Sequence, residues 1–331
     1  MIGGTLFVGR ALVTELVKAG HEVAVLHRRQ KHEFSKRVAN LTADRNDAES
    51  MKEALAGRTF DVVFDNAYDL EHGTSAAQVE ATARLLSAHG RLKRYVFMSS
   101  VSAYGDGLNH HEGDALAPDD HPEPYARNKA MSERILFRMH QRTGLPVVTL
   151  RPPYIYGPGN PYYREAFFWD RVRAGRSIIL PGDGRRLMQF VHVSDVVGAC
   201  LRVMESPDTA GHAFNVANAR AVTQVETVDA IAAAAGKTAS FVRIPRERIL
   251  RAGGHVAGQR LYFGTLFDLP AITMVINKAQ RMLKFQPVDF AAGLKETYRW
   301  YLRNRPYPEP DYAFEDALIA AAPPAAFSAP E

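Results

Sequence analysis

Two side chains four residues apart carry the clearest chemical signal: Tyr125 and Lys129, in the run YARNK. On a helix that spacing puts both on one face. An ammonium beside a phenol favours the phenolate, so the tyrosine pKa is expected to move toward working pH. Such a phenol can exchange a proton with a carbinol oxygen. The pair alone is not diagnostic, because Tyr-x-x-x-Lys also recurs by chance on helix surfaces. A second signal is VFMSSVSAYG, an apolar run that ends in serines. A hydroxyl at the carboxyl end of a buried strand sits where α/β sheets bind ligands. Ser100 could donate a hydrogen bond to a substrate oxygen, with Ser99 and Ser102 as rivals, and a turn-capping role is the plainer alternative. The third signal is the loop GGTLFVG, Gly3 to Gly9. A strand, a glycine turn and a helix start place free backbone N–H groups and a helix dipole against a pyrophosphate. The turn needs Gly3 and close helix–strand packing needs Gly9, but the middle glycine of such loops is replaced by Leu6.

These residues need a scaffold, and the surrounding pattern supplies one. His21–Leu26, Phe60–Ala67, Arg94–Ser100 and Pro146–Pro152 are short, β-branched apolar runs that read as strands buried on both faces of a parallel sheet. Helical patterns lie between them, among them Gly9–Ala19 with Leu12, Leu16 and Val17 on one face. The alternation predicts an α/β fold, a doubly wound parallel Rossmann sheet with a smaller α/β C-terminal substrate lobe. Residues 1–152 are expected to form the dinucleotide-binding core. Residues 153–304 are expected to form mainly the substrate lobe, with segments returning to the core. Residues 305–331 read as a C-terminal extension whose low-complexity end, AAPPAAFSAPE, is expected to be disordered. Only Met1 and Ile2 precede the glycine turn. A first strand normally supplies more, so either the start lies downstream of the natural one, with an extension of about four residues expected to raise stability, or the central strand is unusually short.

Composition narrows the function classes. The chain has 331 residues, 46% hydrophobic and 23% charged, ordinary for a globular α/β protein with an appended lobe. Cys200 is the only cysteine, so no intramolecular disulfide can form. No run has the apolar length of a membrane span and no signal peptide is recognisable, so a cytoplasmic location and no membrane partner are expected. No metal is expected. The formal charge is +5, with basic clusters at His27–Lys31, Arg171–Arg176 and Arg243–Arg251. These clusters lack interleaved aromatics of the kind that stack bases, so weak, non-specific nucleic-acid binding is the most that they predict.

Taken together, the glycine loop, SSVSAYG, YARNK, RPPYIYGPG and FVHVSDV resemble the extended short-chain dehydrogenases/reductases, the epimerase/dehydratase group, over nearly the whole chain. In that group the catalytic serine or threonine stands four residues before the tyrosine of the strand-end YG, here Tyr104, which singles out Ser100. The resemblance implies Tyr125 as general acid/base, Lys129 as its tuning group and ribose contact, and Ser100 as the group that orients the substrate oxygen. It implies a nicotinamide cofactor held by Gly3, Thr5, Leu6, Phe7, Val8, Gly9, His27, Arg28, Asp44, Asn66, Ala67, Tyr125 and Lys129, with Asp44 at the adenine. It also places Tyr154, Arg186 and Met188 toward the substrate.

The departures refine this. The group's 4,6-dehydratases carry an Asp-Glu pair after the catalytic serine or threonine; Val101 and Ser102 stand here, which argues against dehydration. Many nucleotide-sugar epimerases have an arginine, to clamp the diphosphate, where this chain has Met188, though Arg185 and Arg186 lie close by. NAD-specific members end the second strand with a carboxylate, whereas His27-Arg28-Arg29 stand here, which favours NADP over NAD slightly. GGTLFVGR, FDVVFDNAYD, RPPYIYGPGNPYYRE and LMQFVHVSD resemble most the chloroplast stem-loop-binding proteins, of which some plant members are associated with RNA, and their bacterial relatives. The expected function is therefore NAD(P)-dependent oxidation, reduction or epimerisation at a secondary alcohol or ketone of a sugar-like substrate. An RNA-binding module and a carbonyl reductase for a non-sugar metabolite are the alternatives. The expected partners are that small-molecule substrate and at most a second copy in a homodimer.

Overall fold

Strand Val23–His27 pairs in parallel with Val38–Thr42, residue 23 opposite residue 38. Three further strands, Val62–Asp65, Arg94–Met98 and Val147–Arg151, pair in parallel in that order, and His212–Asn215 closes the far edge beside Val147–Arg151. The two groups are joined by Ile2, which bridges Leu26 on one side and Asp65 on the other. Its N–H donates to the Phe64 carbonyl at 2.9 Å, and the Leu26 N–H donates to the Met1 carbonyl at 2.8 Å. A two-residue stub thus occupies the central slot of a parallel Rossmann sheet. The computed structural model behind this description covers residues 1–88, 90–323 and 327–328.

The chain forms two compact units. The first comprises Met1–Pro153, Val193–Ala219 and Met274–Pro287; the second comprises Tyr154–His192, Arg220–Thr273 and Val288–Glu331. The four strands of the first unit named from sequence all form, within two residues of the predicted ends. Strand Val38–Thr42 escaped notice because only its first and fourth residues are buried, leaving no apolar run. The helix Phe7–Lys18 buries Val8, Gly9, Leu12, Val13 and Leu16, so its inward face includes Val13, whereas Val17 is only half-buried.

The second unit carries a parallel pair, Ile178–Pro181 with Phe241–Ile244, to which Phe327–Ser328 adds antiparallel. That last pair falls inside the C-terminal end expected to be disordered; residues 324–326 and 329–331 of the same end lie outside the described residues. Two short pairs, Tyr154–Tyr156 with Phe190–His192 and Leu187–Met188 with Val222–Thr223, complete its strands. Its core is strongly aromatic, built on Tyr156, Phe167, Phe168, Trp169, Phe190 and Phe267.

Candidate active site

The glycine loop is explained by contact. A Cβ on Gly9 would stand 2.1 Å from the carbonyl oxygen of Gly3, which no backbone neighbour tolerates. Gly3 has φ +76°, and a Cβ there would lie 3.0 Å from the Ala67 backbone. The helix starting at Phe7 has no side-chain cap at Leu6, so its first amides are free of a local acceptor. Phe7 itself has φ 42°, a left-handed conformation costly for a non-glycine residue and typical of ligand-binding turns. Val8 is buried and Thr5 half-buried, while Leu6 is exposed. Glycines that a Cβ would jam against backbone, beside an uncapped helix start, make a cradle that fits a dinucleotide pyrophosphate.

The other expected cofactor residues also belong to this unit. Asn66 Nδ2 donates to the Gly3 carbonyl at 3.4 Å, and the Ala67 carbonyl accepts from Arg45. His27 is buried at the end of its strand, with Nε2 2.7 Å from Asn40 Oδ1. Arg28 pairs with Asp69 at 3.3 Å, whereas the exposed Arg29 side chain has no partner among the described residues. Asp44 accepts from the Asn46 amide at 2.9 Å, which shapes the turn after its strand.

Tyr125 stands in the first turn of the helix Pro124–Thr143, whose entry is fixed by Pro124 and by Glu123, which accepts from the Tyr125 amide at 3.0 Å. Lys129 follows one turn later. It is buried, its Nζ donates to the Met98 carbonyl at 2.6 Å, and it lies 5.7 Å from the Tyr125 ring centre. Desolvation is the main reason its ammonium is held down at about 8, with Asp65 pulling the other way. Tyr68, which sequence reading did not single out, packs edge-on against Tyr125 at 4.8 Å between centres, and Lys129 Nζ lies 5.3 Å from its ring centre.

The serines separate cleanly. Ser99 points into the core and donates to Glu133 at 2.5 Å. Ser100 lies at the start of the short helical turn Val101–Tyr104, where its Oγ accepts from the Ser102 amide at 3.1 Å. That leaves the Ser100 hydroxyl proton to donate elsewhere, so capping and substrate contact are compatible. Glu133 also accepts from Thr149 at 3.0 Å and from Arg151 Nη2 at 2.7 Å, and Arg151 Nη1 donates to the Tyr104 hydroxyl at 2.8 Å. This buried network ties the serine strand to the tyrosine helix. Its sequence trace was available: Tyr125, Lys129 and Glu133 recur at four-residue spacing.

The expected substrate residues belong to the second unit. Tyr154 is half-buried, and its hydroxyl donates to the Leu266 carbonyl at 2.8 Å. Met188 is 2% exposed and packs within the aromatic core. Arg186 pairs with Asp268 at 3.0 Å, and Arg246 pairs with the same carboxylate at 2.7 Å. Among the described residues no cluster of three or more His, Cys, Asp or Glu could hold a metal ion, and no helix is long and apolar enough to cross a membrane.

Comparison with known proteins places the chain in a family. Residues 1–217 match the family model of the NAD dependent epimerase/dehydratase family. The chain is 29% identical to the chloroplast stem-loop binding protein of 41 kDa b of Arabidopsis thaliana, over 97% of this chain and 83% of that protein. It is 30% identical to a dTDP-glucose 4,6-dehydratase of an Actinoplanes species, over 70% of this chain and 67% of that protein. Among solved structures, dTDP-glucose 4,6-dehydratase from Bacillus anthracis in complex with NAD is similar with a TM-score of 0.74 at 19% identity, covering 93% of this chain and 97% of that one. UDP-glucose 4-epimerase from Thermotoga maritima with UDP-glucose is similar with a TM-score of 0.70 at 21% identity, covering 92% and 98%. This chain belongs to the NAD-dependent epimerase/dehydratase family, and is an enzyme of the extended short-chain dehydrogenase/reductase type.

Proposed function

We propose that the chain catalyses NAD(P)-dependent oxidation, reduction or epimerisation at a secondary alcohol or ketone of a sugar or sugar-nucleotide-like substrate. The observation that carries this reading is the buried Lys129 packed against the ring of Tyr125, with its Nζ tied to the strand that ends in Ser100. A dinucleotide bound by the Gly3–Gly9 loop would supply the hydride donor or acceptor. Tyr125 then gives a proton to, or takes one from, the carbinol oxygen, and Lys129 favours its phenolate. Ser100 donates to the same oxygen and orients it. The second unit is assigned to substrate recognition through Tyr154, Met188 and Arg186. Val101 and Ser102, where dehydratases of this group carry an acidic pair, speak for oxidation–reduction or epimerisation over loss of water.

NADP is favoured over NAD because no carboxylate follows the strand Val23–His27 and the Arg29 guanidinium is exposed. Arg28 is a weaker candidate for a 2′-phosphate, since Asp69 already engages it. The test is incubation of dTDP-glucose and UDP-glucose with either dinucleotide, net oxidation being followed at 340 nm and epimerisation, which returns the dinucleotide to its starting form, by NMR of the product, together with dinucleotide affinity by fluorescence titration. Tyr125→Phe is expected to lower the rate more than about a hundredfold while leaving dinucleotide affinity nearly intact. A variant within a few-fold of wild type refutes the role of Tyr125, and tighter binding of NAD than NADP refutes the cofactor preference.

A further inference from the structure

The first unit buries an ion pair that lies outside the Ser100, Tyr125 and Lys129 machinery. Arg45 follows the strand Val38–Thr42 and donates from both Nη groups to Asp65, from Nη2 at 2.6 Å. The Tyr95 hydroxyl donates to the same carboxylate at 2.6 Å. Asp65 is 1% exposed, and Arg45, Tyr95 and Lys129 are likewise buried. Stability alone does not explain the arrangement, because well-packed apolar residues often serve a core as well as a buried ion pair does. Its place in the sheet is more telling. Asp65 lies opposite Phe97 in the parallel register, and Lys129 Nζ stands 4.9 Å from the ring centre of Phe97. Tyr95 and Phe97 point to one face of their strand and share an apolar cluster with Leu136 and Met139, which belong to the helix that carries Lys129. The carboxylate bonded to Tyr95 and the ammonium therefore lie on the same side of the sheet.

The other groups around Lys129 do not supply a free negative charge. Tyr68 and Tyr125 present their rings, and burial pushes the Tyr95 phenol up, so that it stays neutral. Glu133 stands one turn further along the helix, but Arg151 holds both of its oxygens, and Ser99 and Thr149 donate to it as well. Burial weakens the Lys129 ammonium, and Asp65 is the largest influence in its favour, ahead of repulsion from Arg45 and of the pull of Glu133. We propose that Asp65 is a positioning residue for proton transfer, its carboxylate, fixed by Arg45 and Tyr95, keeping the Lys129 ammonium charged beside Tyr125. The proposal rests on the reading of Lys129 as the group that tunes Tyr125.

The test is an NMR titration of the full chain carrying 13C-labelled lysine, from about pH 5 to 10, a range that brackets a lowered lysine. The Lys129 Cε signal is assigned by its loss in Lys129→Met. Asp65→Asn keeps the shape and removes the charge, and the Lys129 midpoint is expected to fall by about one pH unit. A carboxylate that served only packing gives the opposite sign, since loosening the site admits water and lifts the midpoint toward that of an ordinary lysine. An unchanged or raised midpoint in the folded variant overturns the assignment. Should Asp65→Asn fail to fold, Arg45→Met combined with Asp65→Leu replaces the pair by apolar groups. There a smaller fall is expected, because the repulsion of Arg45 is lost together with the attraction of Asp65, and a midpoint at or above that of wild type again refutes Asp65. Turnover in the oxidation direction separates this proposal from the reading beneath it. The limb that reports ionisation of Tyr125 is expected to move to higher pH in Asp65→Asn, because a neutral lysine no longer favours the phenolate. A limb that stays put although the midpoint falls refutes the tuning role of Lys129, whereas a midpoint that stays put refutes Asp65 alone.

Discussion

Lys129 is buried among three aromatic rings, those of Tyr68, Phe97 and Tyr125, with the Met98 carbonyl as its hydrogen-bond partner, and that environment has a measurable consequence. Its ammonium titrates near 8 in the folded chain, against 10.5 for an ordinary lysine, chiefly through desolvation. Between those two values the unfolded chain still binds a proton that the folded chain has released. Stability therefore rises with pH across that window and is flat below it as far as Lys129 is concerned. Lys129→Met removes the effect. Urea denaturation from pH 7 to 10 is expected to show wild type gaining on the variant above pH 8, by at most about 1.4 kcal/mol per pH unit. A difference that does not change with pH would place the lysine near its ordinary value. At this scale the Tyr125–Lys129 pair was legible because four-residue spacing is a local property of helices. The choice between Ser99 and Ser100 was not local: it depends on Glu133 accepting from Ser99 across 34 positions.

The elements that carry the site were readable where their patterns are repetitive, and hidden where a long-range partner defines them. Apolar runs marked four parallel strands, and the paired Thr223 and Glu226 of the helix Gln224–Ala234 form a capping box visible as T-x-x-E. The central strand was the difficult one. Ile2 alone bridges both neighbours, a role set by Leu26 and Asp65 and not by any pattern in two residues. Likewise the buried cluster of Arg45, Asp65 and Tyr95, in which Tyr95 donates to Asp65 at 2.6 Å, spans strands distant in sequence. The glycine loop can be tested as an element. If Gly9 is needed because the helix Phe7–Lys18 must lie directly against Gly3, then Gly9→Ala pushes that helix away from the sheet. Overpacking of this kind costs about 1–3 kcal/mol, and the displaced first turn would no longer meet a pyrophosphate. A lower melting temperature together with at least tenfold weaker dinucleotide binding is expected. A destabilised variant that still binds dinucleotide like wild type would make the loop a structural turn only.

At the scale of the whole chain, the order of the motifs carried the fold and the family, since no single motif was specific. What the motifs leave open is whether the basic surplus serves nucleic acid, a question sharpened by 97% coverage in the match to a stem-loop-binding relative. The formal charge of +5 overstates the free charge available at the clusters that suggested it. In the first, Arg28 pairs with Asp69 at 3.3 Å. In the second, Arg171 is buried and donates to Glu315 from Nε at 2.7 Å, while Arg176 pairs with Asp316. In the third, Arg246 is held by Asp268 at 2.7 Å and Arg248 donates to the Ala321 carbonyl. An arginine committed to a carboxylate must break that pair before it can neutralise a phosphate, so each cluster offers fewer phosphate contacts than its composition suggests. Affinity for a single strand falls with salt at a logarithmic slope of about 0.7 per phosphate neutralised. Few contacts therefore predict both weak binding and a shallow slope. Filter binding of a stem-loop RNA and a scrambled control, from 50 to 200 mM salt, measures both quantities. Dissociation constants no tighter than roughly micromolar at physiological salt, alike for the two RNAs, are expected for non-specific contact. Nanomolar binding that prefers the stem-loop and survives 200 mM salt would require recognition beyond charge, and would place an RNA role beside the enzymatic one.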